Sequence, residues 1–349
     1  MSQRPLAALL AVPLLLALAM AALVVPLPYV IYSPAYTVNV LGRSDGKDVI
    51  QVSGHRSYDD PGQLRMTVVY VTQPDGRVSL FDAMDAWLDD EKSIYPYDAV
   101  YRPDETQAQS QQEGAAQMVS AKDAAVAMAL VELGYNVERI TVSQVEPGAP
   151  ADGALRVGDR ILRVGGTAVR TTDDISRTIQ AAAPDAAVRF VVRRAGGRRS
   201  VDVVPRDIDG QRRVGIQLDV GVDLPFTVDI NIDSGIGGPS AGLMFALATY
   251  DRLTPGSLTD GAAVAGTGTL DLSGRVGSIG GIQQKIVAAR NEGIPLFLVP
   301  ADNCTDAVQA PNGSVRLVKV STLDDALASI QTWTSDHDAE LPACAGAPS

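Results

Sequence analysis

The sequence predicts an α+β chain of several domains behind an N-terminal transmembrane helix. Three observations carry this. Leu6 to Val25 is a continuous apolar stretch, residues 140–205 read as short β-branched runs around one helix, and residues 240–250 and 282–293 are apolar helical stretches in glycine-rich surroundings. The net charge of −12 comes without a basic block, which excludes a nucleic-acid binder and a polybasic hold on anionic lipid.

After Arg4 no charged residue occurs until Arg43, so Leu6–Val25 is long enough to cross a hydrocarbon core. The positive-inside rule keeps the N-terminus in the cytoplasm and exports everything from Pro34 onward, making the bilayer a partner through Leu6–Val25. A cleaved secretory signal competes, since Ala17, Ala19 and Ala21 give small-residue spacing, but a signal core is usually only ~7–15 residues, and the length favours an uncleaved anchor. Both readings export the remainder. The chain beyond begins with a juxtamembrane segment, with a β-run at 66–71 and a helical piece at Leu80–Leu88. A polar linker or helix entrance follows at 104–113, then helical periodicity through Ala115–Leu133.

Between 140 and 205, ITVSQV, RFVVRRA and SVDVVP read as strands, and Thr172–Ala183 as a helix behind Thr-Thr-Asp-Asp. Gly158-Asp159 is a turn signal, and the arginine pairs around Gly196-Gly197 read as a solvated hairpin. Further on, GGPSAG precedes SAGLMFALATY, an apolar stretch of helix formers. Pro239 and the glycines permit a sharp turn into the helix. Ser240 could then be a nucleophile, with amides near Gly238, Pro239 and Ala241 aimed at a developing oxyanion. It could equally be an ordinary N-cap. Lys285, beside the apolar stripe of IQQKIVAARNEG, can serve as its base if burial keeps the amine neutral, and is otherwise a solvated helix lysine.

GGPSAGLMFAL followed by AGTGTLDLSGRVGSIGGIQQKIVAA resembles the proteolytic domain of the Lon family, from about Val214 to Ile330. The resemblance implies a Lon-type α/β proteolytic domain with Ser240 as nucleophile, Lys285 as general base and Thr267 orienting the lysine amine. It also implies assembly into a homo-oligomeric ring such as a hexamer. Many such domains carry an acidic residue where this chain has Gly237, so that role is absent or passes to Asp233; a membrane-anchored subgroup shares the glycine. EPGAPADGALRVGDRILRVGGTAV resembles a PDZ domain on Ala149, Pro150, Ala151, Leu155, Gly158, Asp159 and Ile161, implying a β-sandwich with helices that captures an extended peptide. Its carboxylate-binding loop is placed at Leu133-Gly134-Tyr135-Asn136-Val137, with a helix C-cap at Gly134 as the other reading.

Elimination points the same way. His55 and His337 are the only histidines, far from the serine motif, so a Ser-His-Asp triad is not indicated. There is no HExxH, and the two cysteines stand 40 residues apart, so no metal or other cofactor is called for. No GxxxxGK[ST] run occurs, so ATP hydrolysis is not expected. Cys304 and Cys344 would pair in an oxidising compartment, pinning the tail, or stand as unlinked thiols. The expected division is 1–31 N-terminus and anchor, 32–120 juxtamembrane, 121–205 PDZ-like, 206–333 proteolytic and 334–349 tail. The expected function is an anchored, ATP-independent endopeptidase acting on unfolded or loop-exposed polypeptides. An inactive anchored PDZ scaffold is the alternative.

Overall fold

The computed structural model describes residues 3–344 apart from 45, 136, 170 and 209, without the side chains of 3–10, 19, 21, 24 and 138. Two compact units emerge: residues 1–132 together with 226–349, and residues 133–225.

In chain order, the first unit contributes α1 (Gln3–Val24), β1 (Tyr29–Asn39), β2 (Ile50–Ser53), β3 (Gln63–Val71), α2 (Leu80–Leu88), β4 (Ser93–Pro96) and α3 (Gln107–Glu132). The expected transmembrane helix is corrected here. Among the described residues, no helix is long and apolar enough to cross a membrane. α2 keeps its expected bounds because Ser79 and Asp82 close a reciprocal capping box ahead of it.

The second unit holds β5 (Glu138–Val145), β6 (Arg160–Val164), α4 (Thr172–Gln180), β7 (Val188–Arg194), β8 (Gly197–Val203) and β9 (Ile216–Val222). Its sheet runs β8-β7-β6-β5-β9, antiparallel throughout. Phe190, Ile161, Ile175 and Val164 lie in the core beneath it. α4 starts at the Thr171–Asp174 capping box and stops three residues short of the expected Ala183, ahead of Pro184. The arginine-flanked hairpin forms, but Arg194 is not solvated: its guanidinium grips the buried Asp159 carboxylate, Nε to Oδ1 at 2.7 Å and Nη2 to Oδ2 at 2.6 Å. Burial opposes ionisation of Asp159, yet the guanidinium prevails and holds that carboxyl below its ordinary range.

The chain then returns to the first unit with β10 (Thr227–Ile230), α5 (Gly242–Leu253), β11 (Ala263–Gly266), β12 (Thr269–Leu270), β13 (Val276–Gly277), α6 (Ile282–Asn291), β14 (Leu296–Pro300), α7 (Cys304–Ala307), β15 (Arg316–Val320) and α8 (Leu323–Ser335). Its sheet runs β15-β14-β11-β3-β1-β4: the pairings of β11 with β3 and β14, and of β14 with β15, are parallel, and β1 pairs antiparallel with both its neighbours. β2 pairs with β10. Residues 32–120 are therefore not a separate juxtamembrane segment, because β1, β3 and β4 are half of the sheet that also contains β11 and β14. A unit of 93 residues, 133–225, is inserted between the two parts of one fold. Cys304 and Cys344 are joined in a disulfide, and Lys319 N donates to Pro342 O at 2.8 Å, so the tail lies along β15. The last five residues lie outside the described ones.

Candidate active site

Ser240 does not cap a helix. α5 begins two residues after it, with Ala241 at the cap position and no side-chain cap hydrogen bond. The serine backbone is held instead by its carbonyl, which accepts from Gly268 N at 2.8 Å and from Thr267 Oγ1 at 3.0 Å. Gly268 sits at φ +155°, and a Cβ there would fall 2.6 Å from Val276 Cγ1, so only glycine brings this amide so close. The serine hydroxyl is left facing Lys285, with Nζ and Oγ 2.8 Å apart.

α6 delivers that lysine from a stripe that also buries Ile282, Ile286, Val287 and Ala289. Lys285 is only 3% exposed. Besides Ser240, its Nζ contacts Thr267 Oγ1 at 3.2 Å and Thr67 O, on β3, at 3.3 Å. The Thr267 hydroxyl proton is committed to Ser240 O, so Thr267 Oγ1 can only accept from the amine. Two acceptors therefore use the two N–H bonds of a neutral amine, and its lone pair is left for the Ser240 proton. Desolvation lowers the Lys285 pKa to about 7. No carboxylate lies within hydrogen-bonding or ion-pair reach of its amine among the described residues. Asp233 is exposed and turns onto its own loop, Oδ1 accepting from Gly235 N at 2.8 Å.

The three residues expected around the oxyanion separate. Gly238 N already donates to Gly114 O at 2.9 Å, and Pro239 has no N–H to offer. Gly242 N and Leu243 N are taken by Pro239 O and Gly268 O, and among the described residues the amides of Ala241 and of Ser240 itself have no such backbone partner. A cleft of about 510 Å³ opens over Ser240 and Lys285, walled by β3, by the Ser234–Gly237 loop and by α3. β11 pairs with β3 only as far as Met66, so Val68–Val71 present a free strand edge to this cleft. Thr67, Gly114 and the β3 edge had no local signal in the sequence. Their roles arise from contacts more than 100 residues long.

The expected carboxylate-binding loop of the second unit fares differently. Asn136 lies outside the described residues, and Gly134 follows the end of α3 at φ +83°, the geometry of a helix C-cap. β9, one of the two edge strands of this sheet with β8, is entered through Gly215 at φ +74°. Gln180 at the end of α4 exchanges hydrogen bonds with the Arg212 backbone just before it, at 3.0 and 3.2 Å. Sequence reading placed no function there.

Comparison with known proteins agrees with this partition. Residues 227–332 match the Lon protease (S16) C-terminal proteolytic domain, and residues 141–194 match the PDZ domain. The Lon protease of Syntrophomonas wolfei is 36% identical over 108 residues, 29% of this chain and 13% of that protein. Lon protease 1 of Sorangium cellulosum is 37% identical over 107 residues, again 29% and 13%. The matched part thus spans about an eighth of those relatives. Among solved structures, the PDZ domain of an SdrC-like protein from Listeria monocytogenes is similar at 22% identity and a TM-score of 0.22, covering 24% of this chain and 88% of that one. The segment similar to the Lon protease C-terminal proteolytic domain, 227–332, holds Ser240, Thr267 and Lys285, and the segment similar to the PDZ domain, 141–194, precedes it.

Proposed function

We propose that this chain is an ATP-independent serine endopeptidase that hydrolyses peptide bonds with a Ser240–Lys285 dyad. The observation that carries the reading is a buried lysine amine 2.8 Å from a serine hydroxyl, with its pKa lowered to about 7. Neutral Lys285 takes the Ser240 proton as Oγ attacks the substrate carbonyl, and the Ala241 and Ser240 amides receive the oxyanion. The lysine then returns that proton to the leaving amine, and water repeats the sequence to release the acyl group. Thr267 acts as a positioning residue. The free β3 edge at Val68–Val71 suits an extended, unfolded or loop-exposed polypeptide, laid down as an added strand beside Ser240.

The PDZ domain selects or presents such substrates, a role supported by the open edge of β9. The Cys304–Cys344 disulfide supports work in an oxidising compartment outside the cytoplasm. The test is incubation of the full chain with casein in the absence of ATP, beside Ser240→Ala and Lys285→Ala. Cleavage that both substitutions abolish is the expected result. Cleavage that survives either one would refute the dyad.

A further inference from the structure

Helix α3 lies outside the residues matched to the proteolytic domain, yet it forms a whole wall of the cleft. Ser110, Gln111, Gly114, Ala115 and Met118 line the cleft, spaced i, i+1, i+4, i+5, i+8, which is one face of the helix. That face is graded. It begins polar, passes through two minimal side chains opposite the turn that precedes Ser240, and ends on Met118, buried at 5% exposure.

The small residues allow a backbone-to-backbone approach. A Cβ on Gly237 would meet Gly114 Cα and C at 3.3 Å, and Gly238 N donates to Gly114 O at 2.9 Å. Glycine inside a helix is unfavourable relative to alanine, and this close approach accounts for its presence here. The turn that carries the nucleophile is thereby seated on α3, so a substrate side chain next to the scissile carbonyl must lie against the same helix face. Met66 of β3, 1% exposed, lines the cleft as well.

Resting on the Ser240–Lys285 reading, we infer that α3 is the specificity wall of the cleft, with Ala115 and Met118 setting how large a side chain the substrate can place on the N-terminal side of the scissile bond. Removing the Met118 side chain deepens the space, and enlarging Ala115 closes it. Val119, next in sequence but 59% exposed and outside the cleft, has no such effect.

The experiment uses the full chain and a peptide series varied only at that position, from Ala through Val and Leu to Phe. Met118→Ala should raise the Phe-to-Ala ratio of kcat/KM by roughly tenfold or more, the scale set by adding or removing methylene-sized space in a pocket. Ala115→Leu should lower that ratio by a similar factor, and Val119→Ala should leave it unchanged. Labelling of Ser240 by a small fluorophosphonate should persist in all three variants, which reports an intact fold and dyad. An unchanged ratio in labelled Met118→Ala and Ala115→Leu would overturn the inference while leaving the dyad standing. Failure of the wild type to cleave any peptide or take the label would overturn the dyad, and the specificity wall with it.

Discussion

In the proposed mechanism Lys285 acts without a counter-charge. A carboxylate near its amine would favour the ammonium form and keep the lysine from acting as a base. Its surroundings contain instead a carbonyl and two hydroxyls, and burial alone lowers its pKa. Thr267 has the most exacting position of these. It holds Ser240 O with its proton and the lysine amine with its lone pair, tying the two reacting groups to one side chain. Thr267→Val keeps the volume but loses both bonds. We predict a fall in kcat on the order of 10²-fold with KM little changed, as expected when reacting groups lose orientation by less than an ångström. Steady-state kinetics on one cleavable peptide checks this, and a change confined to KM would assign Thr267 to substrate binding instead.

At the scale of elements, the parts legible in the sequence are those whose cause is local. The bounds of α2 follow from Ser79 and Asp82, and α6 is visible from its apolar stripe and the glycine that closes it. Ser240 and Lys285 stood out because the motifs around them are short and contiguous. What stayed hidden depends on pairing across long separations. β3 meets β11 some 200 residues away, and nothing in GQLRMTVVYV announces a parallel partner. Gly114 sits in an alanine- and glutamine-rich helix whose periodicity gives no hint that its carbonyl holds the amide of Gly238. Arg194 looked solvated because its partner, Asp159, precedes it by 35 residues. The apolar run at the N-terminus misled because composition speaks to hydropathy alone, while among the described residues no helix is both long and apolar enough to cross a membrane.

For the whole molecule, the organising fact is a discontinuous first unit. The strand that carries Thr67 and the helix that carries Lys285 come from parts of the sequence before and after the inserted unit at 133–225. A fragment of residues 206–349, the proteolytic domain at 206–333 and the tail that the sequence alone suggested, lacks β1, β3, β4 and α3. It would expose the apolar face of β11 and α5 and leave Lys285 without Thr67 O. We predict that it fails to fold, whereas residues 133–225, whose strands pair only among themselves in the sheet, fold alone. Amide proton dispersion in NMR spectra of the two fragments decides this. A well-dispersed spectrum from 206–349 would contradict the account of the sheet.

The most direct measurement of the central claim is the rate at which a fluorophosphonate phosphonylates Ser240, with loss of fluoride, as a function of pH, because it reports removal of the serine proton independently of any natural substrate. A buried lysine acts as a base only when neutral, so the rate should rise with pH through a single ionisation near 7 and level off above it, and Lys285→Ala should remove that dependence. A rate flat from pH 5 upward, or a midpoint near the ordinary lysine value of about 10.4, would contradict Lys285 as the neutral base.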